Sequence, residues 1–135
     1  MRAIKKGNIV FSVDYESTKE YYKTHSVCDC GDCRNLYAQI KEYAPRLNSF
    51  LEKFGVDISR PDESCPVESE DKTDYLFVGY TVTGEMKGGD LYETEIDGLK
   101  ITVSSGDNPF EWFPHEQTKP CFFISVSGLS LPGIC

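Results

Sequence analysis

This chain is short of positive charge. Its 135 residues carry 14 Lys and Arg against 22 Asp and Glu, a formal net charge of −8. A field of that sign repels phosphate backbones and anionic membrane surfaces. The nearest basic group, Arg2, Lys5 and Lys6, is too small to reverse it. The expected partner is another protein, with no nucleic acid and no membrane. Long apolar runs are missing too. No stretch approaches the ~18 residues that read as a bilayer-spanning helix. The charged N-terminus lacks the apolar core of a signal peptide. The expectation is a cytoplasmic protein whose thiols stay reduced. Catalytic motifs are the third absence. There is no G-x-S-x-G elbow, no H-E-x-x-H and no phosphate-cradling glycine loop. Of the two histidines, His115 is the candidate general base, and nothing marks a nucleophile or acid beside it. The balance points away from an enzyme.

What is present suits a folded domain. Hydrophobic residues make up 39% and aromatics 13% of the chain. A domain of this length buries roughly 68% of its unfolded surface, enough for a core without staples. Residues 1–135 read as one globular domain with no internal repeat, and nothing in them fixes an oligomeric state. Ile9, Phe11 and Val13 alternate with Val10 and Ser12 as in a strand. Asp14 to Thr24 is polar, with Ser17 a cap and Glu20 its capping-box partner. Asp32 is the expected N-cap of a helix whose apolar positions run Leu36, Ile40, Tyr43, Leu47, Phe50, Leu51 and Phe54. Pro45 must kink that helix or start a second one, and Gly55 is its natural stop.

Ser59 to Asp74 is acidic and reads as a solvated loop. Further on, Leu76, Val78, Tyr80 and Val82 alternate, and Gly84 to Gly89 reads as a turn. Asp97-Gly98 suits a type I′ hairpin that pairs Ile96 with Leu99, Thr94 with Ile101, Tyr92 with Val103 and Glu95 with Lys100. A last strand runs from Phe122 to Val126. The fold class is therefore α+β, a mostly antiparallel sheet (a meander with hairpins) packed on one or two helices.

The densest chemistry is Cys28, Cys30 and Cys33, three of the six cysteines within six residues. Three readings stand. In the first the sulfurs hold zinc, with His25 as the fourth ligand, or else His115, Cys65 or Cys121. In the second, Cys30 and Cys33 form a redox C-x-x-C; against it, such a motif normally sets its first cysteine at the helix start, and Asp29 and Asp32 disfavour a thiolate. In the third they are reduced thiols at a helix start. The aromatic segment Pro109 to His115, with Trp112, is either an interface anchor or a loop folded over the core.

The run His25-Ser26, Cys28, Cys30, Cys33-Arg34-Asn35, with Pro45, Leu47, Phe50-Leu51, Gly55-Val56-Asp57 and Leu131-Pro132, resembles a group of small uncharacterised bacterial proteins with a C-x-C-x-x-C-R-N motif. Gly133 departs from that group's bulky aromatic ending. The resemblance implies a bacterial cytoplasmic protein and no activity. Together these readings describe a small acidic, non-catalytic protein-binding module, zinc-stabilised through Cys28, Cys30, Cys33 and His25. The alternative is a thiol redox protein or sensor using Cys30 and Cys33.

Overall fold

A computed structural model describes residues 2–106 and 113–132. The chain folds as β1 (Arg2–Lys6), β2 (Ile9–Val13), α1 (Tyr15–Thr24), α2 (Gly31–Tyr43), α3 (Pro45–Glu52), β3 (Glu63–Glu68), β4 (Lys72–Lys87), β5 (Leu91–Ile96), β6 (Leu99–Ser105), β7 (Cys121–Ser127) and β8 (Leu129–Pro132). This is the expected α+β class, with an antiparallel sheet of eight strands. The strand order is β1-β2-β4-β7-β6-β5, with β3 and β8 both pairing β4. The meander is only partial, because β2 with β4 and β4 with β7 are not sequence neighbours.

The sheet is organised by β4, a strand of 16 residues. Its inner face presents Val78, Tyr80 and Val82, which pair with Val126, Ile124 and Phe122 of β7. Ile101 and Val103 of β6 extend the same row. These residues join Phe11, Val13, Leu36, Ile40, Leu47, Phe50, Leu51 and Phe54 in one buried core. Phe11 locks the layers together, with ring centroids 5.6 Å from Phe54 and 5.5 Å from Phe122. The opposite face is covered as well. Phe113 lies 4.9 Å from Phe123, and a Cβ on Gly79 would come within 2.7 Å of its ring. Phe113 thus folds over the sheet; Trp112 and its neighbours from Pro109 lie outside the described residues.

Several boundaries differ from the sequence reading. Asp14, not Ser17, caps α1, accepting from the Ser17 amide at 3.1 Å. At Pro45 the expectation holds in its second form: α2 ends before Ala44, and Pro45 starts a separate helix, α3, at a position that needs no amide hydrogen. The Ser59–Asp74 stretch is not a solvated loop, because it contains β3 and the start of β4. Between Tyr75 and Val78 β4 spends three residues where β3 spends two, so an extra residue there shifts the face. Leu76 is consequently turned out and 62% exposed, while Tyr75 is buried. Gly84 does not start a turn. β4 continues through it to Lys87, pairing with β2. Gly84 has φ +146°, and a Cβ there would sit 2.0 Å from the Ser12 carbonyl oxygen. Only glycine lets the strand cross at that point.

The Asp97-Gly98 hairpin forms in the expected register, including Glu95 opposite Lys100. Both turn residues have positive φ, +55° and +78°. Asp97 also does something the hairpin rule does not foresee. Its Oδ2 accepts from the amides of Arg46 at 2.9 Å and Leu47 at 3.0 Å, capping α3 from across the fold. Asp97→Gly keeps the turn and loses the cap, and is expected to cost about 1 kcal/mol. Asp97→Ala adds left-handed backbone strain of about 1 kcal/mol more. Urea denaturation reads both; a wild-type midpoint for Asp97→Gly would show the cap to be idle.

Candidate functional site

The cysteine run bridges two anchored helix ends. α1 finishes at Thr24 with His25 as its C-cap. The expected N-cap of α2, Asp32, is instead inside its first turn, and Cys30 takes the cap position. The Cys30 sulfur accepts the Cys33 amide at 3.4 Å. Asp32 is drawn inward by β4: its carbonyl accepts from the Tyr75 hydroxyl at 2.6 Å. A thiol is a weaker cap than a carboxylate, so this arrangement gives up some helix stability to bring sulfur to the helix start.

The three sulfurs of Cys28, Cys30 and Cys33 lie within 4.8 Å of one another. Cys28 and Cys30 are exposed and Cys33 is buried. Two contacts hold the triad: the Tyr37 hydroxyl donates to the Cys28 carbonyl at 2.8 Å, and the Cys33 sulfur is 3.6 Å from Ser64 Oγ. The amide hydrogen bond from Cys33, aided by the neighbouring thiols, lowers the Cys30 thiol below its ordinary range. Burial, aided by the contact with Cys30, pushes the Cys33 thiol up to about 12. One sulfur is thus accessible at the helix start, while another is shielded from solvent. Three soft donors this close together suit a soft or borderline cation.

His25 is not brought into this group. Its side chain is 1% exposed, with Nδ1 3.6 Å from Asp62 Oδ1, and its ring stacks on Tyr21 at 4.6 Å. Cys65, Cys121 and His115 also lie outside the sulfur group. Burial pushes the Cys121 thiol up to about 11.

A second constellation was not legible in the sequence. Asp62, assigned there to a solvated loop, has a side chain only 1% exposed. It accepts from the Tyr22 hydroxyl at 3.0 Å, the Thr81 amide at 2.9 Å and Thr81 Oγ1 at 3.0 Å, and from the Tyr21 hydroxyl. Arg60 completes the anchor, donating to the carbonyls of Tyr22 at 2.8 Å and His25 at 2.7 Å. The available signal was Tyr21, Tyr22 and His25 on one short, otherwise polar helix. Burial and then Asp62 raise both tyrosine hydroxyls far above their usual range. Burial holds His25 below its ordinary value, opposed by Asp62. Among the described residues, His25 Nε2 is buried without a hydrogen-bond partner. The constellation is an anchor for α1.

Neither protein-family models, curated proteins nor solved structures give a match to this chain. Among the described residues no helix is long and apolar enough to cross a membrane.

Two outcomes follow from the anchor. Asp62→Ala removes the acceptor from several buried donors and should cost about 3 kcal/mol or more. His25 resists protonation in the folded state, whereas the unfolded chain protonates it near pH ~6.5. Its contribution to stability is therefore complete above that pH and is lost as pH falls through the lower folded value. Urea midpoints at pH 7.5 and pH 5 should differ less in His25→Gln than in the wild type. An equal difference would remove His25 as the cause.

Proposed function

We propose that this chain is a small non-catalytic binding protein that holds one zinc ion at Cys28, Cys30 and Cys33. The observation that carries the reading is the approach of three sulfurs within 4.8 Å at a partly exposed helix start. Thiolates select zinc over hard cations such as magnesium and calcium. With Zn–S bonds of ~2.3 Å, small side-chain rotations bring this group to coordination distance. Because Asp62 engages His25, the fourth position falls to water or to a side chain of a partner protein. That open position, together with the net charge of −8, favours a basic protein partner carrying a histidine or cysteine. A reducing bacterial cytoplasm keeps the thiols available for the ion.

One observation favours the thiol redox alternative. The first cysteine of the C-x-x-C, Cys30, occupies the helix N-cap, the position whose expected lack weighed against redox chemistry in the sequence.

Metal analysis of protein purified without an affinity tag tests the metal reading. The expected result is about one zinc per chain, with cobalt substitution giving an intense sulfur-to-metal charge-transfer band. Cys30→Ser should weaken zinc by at least about tenfold. Metal-free protein with freely titrating thiols, taking up neither zinc nor cobalt, would sink the reading.

A further inference from the structure

Two sulfurs of the triad face solvent and the third is buried, an arrangement that bears on how the ion is released. We propose that a peroxide closes Cys30 and Cys33 into a disulfide and so expels the metal, making the triad a redox-controlled metal site. The inference rests on the metal reading above.

Access decides which thiol reacts first. Cys28 and Cys30 are exposed, whereas Cys33 is only 5% exposed, so a peroxide from solvent meets the outer two. Cys30 sits at the start of α2 with the Cys33 amide directed at its sulfur at 3.4 Å.

In the first step the Cys30 thiolate attacks one peroxide oxygen. The S–O bond forms, the O–O bond breaks, and the departing alkoxide or hydroxide takes a proton from water. Cys30 becomes a sulfenic acid and the peroxide is reduced. In the second step the Cys33 sulfur attacks the Cys30 sulfur. The S–S bond forms, the S–O bond breaks, and the hydroxide leaves as water. It takes its proton from solvent in the zinc-bound protein, where Cys33 is already a thiolate and both Zn–S bonds to Cys30 and Cys33 are given up, or from the Cys33 thiol in the metal-free protein. Two thiols have supplied two electrons to one peroxide.

Geometry selects Cys33 as the second partner. Cap and third helical positions lie on one side of the first turn, and these two residues already share a hydrogen bond through the Cys33 amide. Cys28 is separated from Cys30 by a single residue, a span that strains the disulfide dihedral. Once the bridge closes, Cys28 is the one thiolate left in the triad, and a single donor does not retain zinc.

The test starts from reduced, zinc-loaded protein. Hydrogen peroxide is titrated in while a chromophoric chelator reads released zinc and peptide mapping by mass spectrometry reads disulfides. One zinc should leave per Cys30–Cys33 bridge, and dithiothreitol with added zinc should restore the starting state. Metal-free protein should form the same bridge. Zinc retained after the bridge closes, or zinc lost with Cys28–Cys30 or only over-oxidised cysteine formed, overturns the inference while the metal reading stands. A reduced protein that never binds zinc overturns the metal reading itself, and with it the release.

Discussion

Strand β4 is the member on which the rest of the structure hangs. It pairs with β2, β3, β7 and β8, and through them it fixes most of the sheet. The helices are tied to it by side chains. Thr81 receives α1 through Asp62 and the Tyr22 hydroxyl, and the Tyr75 hydroxyl receives α2 through the Asp32 carbonyl. Ser64, behind Cys33, stands on β3 opposite Val78 of β4. The sulfur triad inherits its position from this one strand.

That origin explains the division between the two polar groups. α1 ends where Asp62 holds His25, and α2 begins where Tyr75 holds Asp32. The cysteines occupy the span between these fixed points. His25 and the sulfurs are close in sequence, yet the imidazole is buried beside Asp62 and stacked on Tyr21, outside the sulfur group. The imidazole therefore serves the anchor, and the thiols are left as the group open to solvent. One buried and two exposed sulfurs give that group a protected side and a reactive side.

Legibility followed the range of the interaction. The Asp97-Gly98 hairpin was readable because both turn residues and both strand faces agree within a dozen residues. The break at Pro45 was readable because a missing amide hydrogen is a local fact. The cysteine cluster was visible from spacing alone. Asp62 was not, since its neighbours Glu63, Glu68 and Glu70 make an acidic run look solvated. The strand through Gly84 was missed for a similar reason: a glycine pair nearby suggests a turn, and only the approach of Ser12 shows why glycine is needed.

The order of residues by itself determined the α+β class, the hairpin register and the crowding of three thiols ahead of a helix. Each depends on periodicity or on turn chemistry, which act over a few residues. The tertiary structure alone decided that Cys30 caps the helix, that Asp62 is buried and that His25 belongs to it. Those outcomes depend on which side chains β4 brings face to face, and contacts between residues far apart in sequence leave no periodic trace along the chain.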